Sequence, residues 1–297
     1  FDAYWERALA ELDRIDPDYR LVPSPFQPPS AQCFDLYFTG AGNATIHAKY
    51  LRPTRPDSVP HPAVIQFHGY SGKSDPWASL LSWTASGFSV LSMDVRGQGG
   101  LSQDSGSVSG TTLRGHIIRG LDDDPDKLLY RSIYLDTARL ARITMQLPEV
   151  DPQRIGVFGA SQGGGLTLAC AALVPEIKRA APLYPFLCDY RRVWEMDLAI
   201  QAYEELQYFF RSFDPRHLRE EEIFRKLGYI DNQYLAERIK ARVLMGTGLM
   251  DDICPPSTQF AAYNRIRSHK EMIIYPDFRH ENIPDFVDQT YQFMLGL

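Results

Sequence analysis

Gly159-Ala160-Ser161-Gln162-Gly163 stands between a short apolar run, Ile155 to Phe158, and a helix-like run, Gln162 to Leu173. At ordinary glycine and serine frequencies a G-x-S-x-G turns up by accident in about one chain in ten of this length. The flanking pattern therefore carries the inference, more than the five residues do. Where a strand turns sharply into a helix, neighbouring backbone crowds the turn, and glycines omit the side chains that would collide. The serine hydroxyl is left exposed at a helix N-terminus, the context of a nucleophile elbow. Such a turn requires a sheet below and helices over it, so the rest of the chain should alternate strands and helices.

It does. Tyr4, Trp5, Ala8, Leu9 and Leu12 recur at helical spacing near the start. The proline-rich stretch Asp16 to Ser30 reads as an extended surface crossing. Two β-like runs, Cys33 to Thr39 and Ala44 to Leu51, flank Gly40-Ala41-Gly42-Asn43, which suits an antiparallel hairpin. After the proline-broken loop Arg52 to Pro62 comes a buried-strand pattern, Ala63 to Phe67, then a helix-like Trp77 to Ser86 and a second buried strand, Ser89 to Met93. Tyr130 to Leu147 is helical, and further strands are expected at Ala180 to Tyr184, Val243 to Gly246 and Glu271 to Tyr275.

This alternation predicts an α/β chain with a mostly parallel sheet flanked by helices, the α/β-hydrolase fold, as a single domain over 1–297. Residues 1–62 form an N-terminal extension and 186–240 a helical insertion. The insertion carries Trp194, Tyr203, Tyr208, Phe209 and Phe210, which either cap a pocket or pack its helices against the sheet. No repeat or linker divides the chain.

A serine hydroxyl needs a base within hydrogen-bond reach and a carboxylate to orient that base. In this fold the chain order is serine, acid, histidine, each on a loop after a strand. His280 follows the last strand and is the expected base. His269 precedes that strand, His47, His61, His68 and His116 precede the serine, and His217 falls in the insertion. The glycine-rich turn Gly246 to Asp252 offers Asp251 as the acid, with Asp252 as rival and Asp277 as a more distant one. The oxyanion of a tetrahedral intermediate calls for backbone N–H donors, one after the nucleophile and one on the loop after an early strand; these are Gln162 and Tyr70.

Other patterns exclude more than they suggest. Arg96-Gly97-Gln98-Gly99-Gly100 lacks the Lys-Ser/Thr of a phosphate loop, and a buried Arg96 bracing nearby loops is expected instead. The acidic triplets at 122–124 and 220–222 read as solvated faces, so no metal and no cofactor are expected. Cys33, Cys170, Cys188 and Cys254 have no ligand-like spacing and read as buried thiols. With 37 acidic against 31 basic residues, the net charge of -6 gives nucleic acid no broad attraction. No apolar run approaches the ~20 residues that span a bilayer. No basic segment followed by an apolar one opens the chain, so the cytoplasm is the expected location.

The motifs Arg96-Gly97-Gln98, Gly159-Ala160-Ser161-Gln162-Gly163-Gly164 and His280-Glu281 resemble, in order, the signature of acetyl xylan esterases and cephalosporin C deacetylases of carbohydrate esterase family seven. Similar positions occur at His68-Gly69-Tyr70, Tyr134-Leu135-Asp136, Gly248-Leu249-Met250-Asp251 and Pro255-Pro256-Ser257-Thr258, so the resemblance covers nearly the whole chain. It favours Asp251 over Asp252. It implies a triad of Ser161, Asp251 and His280, oxyanion donors at Tyr70 and Gln162, and small acetylated substrates, namely xylo-oligosaccharides and cephalosporin C. It also implies a cytoplasmic homo-hexamer with inward-facing sites. Phe1-Asp2-Ala3-Tyr4-Trp5 is similar to a family segment that a further short stretch usually precedes.

Overall fold

Residues 1–54, 60–109, 115–198 and 201–297 are described by a computed structural model. Parts of the 52–62 loop and of the 186–240 insertion therefore lie outside the described residues. Nine strands form one sheet: β1 (Arg20–Pro23), β2 (Ala31–Thr39), β3 (Thr45–Pro53), β4 (His61–Phe67), β5 (Ser89–Met93), β6 (Val150–Ala160), β7 (Arg179–Leu183), β8 (Arg242–Gly248) and β9 (Lys270–Tyr275). Their spatial order is β1-β2-β3-β5-β4-β6-β7-β8-β9. From β5 to β9 all pairings are parallel, whereas β1, β2 and β3 join antiparallel at one edge.

The helices are α1 (Asp2–Asp13), α2 (Leu81–Ala85), α3 (Leu129–Gln146), α4 (Gln162–Leu173), α5 (Tyr190–Glu195), α6 (Glu204–Phe213), α7 (Glu220–Leu227), α8 (Asn232–Leu235), α9 (Pro256–Arg265) and α10 (Pro284–Met294). Burial follows composition. Central strands covered on both faces are mostly apolar, and every residue of β5 is buried, its two serines included: Ser92 donates to Gln66 Oε1 at 2.7 Å and Ser89 Oγ lies 2.9 Å from His61 Nε2. All of α4 is buried too, which explains why its sequence has no polar stripe.

One expectation is corrected. The crossing from Asp16 to Ser30 is extended but also contains β1, which pairs with β2 through Arg20 opposite Tyr37 and Pro23 opposite Phe34. Its prolines obscured it. An edge strand tolerates Pro23 because one side of its ladder needs no N–H. The other differences are two helices that the sequence reading did not name, Pro256–Arg265 and Pro284–Met294, and boundaries: β6 begins at Val150, since the polar stretch 151–154 continues extended, and β4 begins at His61 opposite Val150.

Trp5 is fully buried, stacks 5.9 Å from Tyr134 and donates from its indole to the Tyr229 carbonyl at 3.0 Å. The extension is thus clamped to α3 and to the insertion at once. Within the insertion, Tyr203, Phe209 and Phe210 are buried in the main core, and Tyr203 packs edge-on to Phe186 at 4.5 Å. These rings therefore pack the insertion onto the body. All four cysteines are free and buried. Among the described residues, no helix is long and apolar enough to cross a membrane.

Candidate active site

The nucleophile elbow is visible in the backbone. Ser161 has φ 57° and ψ -120°, a conformation a residue with a side chain adopts only when its surroundings enforce it. Its N–H donates to the Leu183 carbonyl at 3.0 Å, and its own carbonyl accepts from Phe186 and Gly165 N–H, both at 3.0 Å. Glycine is required at 163, where a Cβ would lie 2.0 Å from the Phe67 carbonyl oxygen. Helix α4 can therefore seat directly against the end of β4.

His280 and Asp251 reach Ser161 because the loops after β8 and β9 are laced together. Leu249 N–H donates to the Tyr275 carbonyl and Met250 N–H to the Phe278 carbonyl, each at 3.0 Å. The Asp251 side chain is fully buried; Oδ1 accepts from the N–H groups of Ile253 (2.9 Å) and Cys254 (2.8 Å). Oδ2 lies 2.8 Å from His280 Nδ1, and His280 Nε2 lies 2.9 Å from Ser161 Oγ. A carboxylate can only accept, so Nδ1 carries a proton; when the ring is neutral, Nε2 then presents its lone pair to the serine hydroxyl. The Tyr184 ring packs 4.5 Å from the imidazole, and burial first, then Asp251, pushes its phenol up to about 12. Buried Cys254 neighbours the Ser161 hydroxyl; burial holds its thiol well above the ordinary range and hence protonated.

The rival acids point elsewhere: Asp252 is exposed and 3.4 Å from Arg279, and Asp277 is exposed. Among rival bases, His68 is buried and committed to the loop. Its Nδ1 lies 2.7 Å from the Gly69 carbonyl, and its Nε2 accepts the Val95 N–H at 3.0 Å. Burial lowers its pKa, which suits this neutral arrangement.

Tyr70 and Gln162 flank the elbow. Gln162 opens α4, so its N–H has no acceptor within the helix. Among the described residues, the Tyr70 N–H meets no protein acceptor. Gln162 is joined through Gln98 to Ser71, the residue after Tyr70. Gln98 Nε2 donates to Gln162 Oε1 at 2.6 Å, while Gln98 Oε1 accepts from Gln162 Nε2 at 3.0 Å and from the Ser71 N–H at 2.9 Å. Tyr130 adds a hydroxyl to Gln162 Oε1 at 2.8 Å.

Arg96 is buried as expected, and what it braces is now specific. Nε and Nη2 grip Asp136 at 2.6 and 2.7 Å, and Nη2 also donates to the Ala41 carbonyl at 2.8 Å. The loop carrying Gln98 is thereby fixed to α3 and to the β2–β3 turn. Gln98 stood in a motif quoted from sequence but without a role, and Tyr130 and Glu205 were not singled out. Glu205 had one usable signal: it lies on the apolar face of α6 with Leu206, Phe209 and Phe210.

A hydroxyl bonded to a neutral imidazole, itself bonded to a buried carboxylate, can lose its proton as it attacks an electrophilic carbon.

The comparisons agree with this reading of the fold. A family model described as acetyl xylan esterase (AXE1) matches residues 1–297. The structure is similar to acetyl xylan esterase 1 from Thermoanaerobacterium sp. JW/SL YS485, at 58% identity and a TM-score of 0.97, covering 99% of this chain and 92% of that one. It is also similar to an acetyl xylan esterase from Paenibacillus sp. R4, at 37% identity and a TM-score of 0.95, covering 100% of this chain and 94% of that one. Acetyl esterase Axe7A from Xylanibacter ruminicola is 26% identical over 94% of this chain, which spans 63% of that relative's length.

Proposed function

Because the chain belongs to the acetyl xylan esterase family, we propose that it is a carboxylic ester hydrolase that removes acetyl groups from acetylated xylo-oligosaccharides and from cephalosporin C. The observation that carries this reading is the continuous link from Ser161 Oγ through His280 to Asp251, at 2.9 and 2.8 Å.

In the proposed first step, His280 Nε2 takes the Ser161 proton while Oγ attacks the ester carbonyl. Negative charge on the carbonyl oxygen is met by the N–H groups of Tyr70 and Gln162. Collapse of the intermediate expels the alcohol, which receives the proton from His280, and leaves an acetyl-enzyme. Water then attacks the acetyl carbon as it gives a proton to the same nitrogen, and collapse releases acetate while His280 returns that proton to Ser161 Oγ. Throughout, Asp251 holds the imidazole in one tautomer and offsets its positive charge.

The acid, base and donors all come from protein groups, so this reaction asks for no metal or cofactor. The finer parts of the proposal are a cytoplasmic location and a homo-hexamer, both supported by family membership. Exposed Ile274, Leu249 and Met250 at the β9 edge supply apolar surface that assembly would cover.

Acetate release from acetylated xylo-oligosaccharides, cephalosporin C, aryl acetates and longer acyl esters tests the specificity. The reading expects acetyl esters to be strongly preferred, and a preference for long acyl chains would contradict it. Sedimentation tests the assembly: a monomer at working concentration removes the hexamer.

A further inference from the structure

Glu205 is 4% exposed on the apolar face of α6, an environment that penalises a carboxylate unless donors surround it. They do. Oε1 accepts the Tyr70 hydroxyl at 2.5 Å, while Oε2 accepts the N–H groups of Ile117 at 2.6 Å and Ile118 at 3.3 Å. The chain before Ile117 is wrapped onto the carboxyl: a Cβ at Gly115 would lie 2.1 Å from its carbon. This anchor belongs to the insertion, whereas Tyr70 belongs to the loop that follows β4.

The Tyr70 phenol has no place in the proton transfers proposed above. Burial first, then Glu205, raises its pKa, so it stays a donor. Its ring meets Phe186 edge-on at 5.9 Å and His116 at 5.4 Å. Beside it opens a cavity of about 400 Å³ lined by Tyr70, Gln98, His116, Glu204 and Glu205. The ring borders open space on that side, and besides Glu205 its hydroxyl oxygen has only His116 Nδ1 within reach among the described residues, at a longer 3.3 Å. The hydroxyl bond to an anchored carboxylate ties the ring down.

We propose that Glu205 is a positioning residue which, through the Tyr70 phenol, holds the Tyr70 N–H where the developing oxyanion needs it. The inference rests on the proposed roles of Ser161 and Tyr70. Glu205 touches no reacting atom; it acts through Tyr70. A donor fixed in advance stabilises the transition state more than the bound substrate. Loosening it should therefore lower kcat and leave KM nearly unchanged. Outright loss of an oxyanion donor costs about 10² to 10³. Here the donor remains and only its placement is relaxed, so a loss of about 10-fold is expected.

Tyr70→Phe removes the hydroxyl while keeping the ring and the N–H. Glu205→Gln retains the size but supplies one acceptor oxygen for three donors. Both are compared with the full-length protein for kcat and KM on p-nitrophenyl acetate and for the rate at which diethyl p-nitrophenyl phosphate labels Ser161, a reaction that also builds charge on an oxygen beside the serine. Tyr70→Phe should keep its melting temperature within a few degrees, lose about 10-fold in kcat and in labelling rate, and hold KM within about 2-fold. The double variant should lose no more than the worse single one, because both cut the same link. If the wild type is labelled on Ser161 and Tyr70→Phe is labelled equally fast, the inference is overturned while the role of Ser161 stands. If the wild type is not labelled on Ser161, that role fails and the inference fails with it.

Discussion

Arg96→Ala removes half of a buried ion pair and should be among the most damaging substitutions away from the nucleophile. Arg96 is 2% and Asp136 1% exposed, so neither charge is relieved by water. The guanidinium makes three hydrogen bonds, two to Asp136 and one to the Ala41 carbonyl. Without it, among the described residues, Asp136 keeps the Ala41 N–H at 2.9 Å as its one hydrogen-bond donor. Stranding one partner of such a pair costs about 3 to 5 kcal/mol, which at about 2 to 4 °C per kcal/mol lowers the melting temperature by roughly 6 to 20 °C.

The same geometry sets the sign of the pH dependence. Burial already raises the Asp136 carboxyl above the ordinary range, with Arg96 pulling against it. Removing Arg96 leaves burial less opposed, so the folded variant holds its proton more tightly still. A carboxyl whose folded value is raised is penalised when ionised, and the penalty fades as pH falls toward the unfolded value. Urea unfolding of wild type and variant at about pH 7 and about pH 5 should therefore show the deficit shrinking on acidification. A deficit below about 1 kcal/mol at neutral pH, or one that grows in acid, would refute the reasoning.

Three further outcomes are expected. Gly163→Ala drives a Cβ to 2.0 Å from the Phe67 carbonyl oxygen, a backbone atom that cannot rotate away; destabilisation of at least about 3 kcal/mol should accompany lost turnover, measured by thermal unfolding and acetate release. Asp94 is held at about 2: burial alone would raise it, but His47, the Ser74 N–H and the Leu101 N–H together outweigh burial. Its contribution of about 2 kcal/mol is complete above the unfolded value near ~4 and lost as pH falls through about 2, so Asp94→Asn should flatten the acid-side slope of stability, read as melting temperature against pH. Asp251→Asn frees the imidazole to adopt the wrong tautomer and should lower kcat by about 10⁴ with the fold intact, checked by kinetics and circular dichroism.

The elbow and the strands of the central sheet were legible because burial on both faces leaves short apolar runs between turn residues. The order of Ser161, Asp251 and His280 was legible because each follows such a run. The strand at Arg20–Pro23 was not, since an edge strand shows little burial pattern and tolerates the prolines that argue against a strand. Between Asp251 and Asp252 periodicity could not choose; what separates them is a turn that buries one and exposes its neighbour. Partners far apart in the chain were the least legible. Arg96 was expected to brace loops, but Asp136 lies 40 positions away, and Glu205 lies 135 positions from the Tyr70 hydroxyl it receives. Only packing brings such pairs together.

The central claim is that Ser161 becomes covalently acylated during turnover. Acid quenching in the first turnovers on an acetyl ester, followed by mass analysis of the peptide containing Ser161, tests this directly. The expected result is one added acetyl group on Ser161 in the wild type and none in Ser161→Ala, whose kcat should fall by about 10⁶. An unmodified peptide, together with a Ser161→Ala protein that keeps most of its turnover, would contradict it.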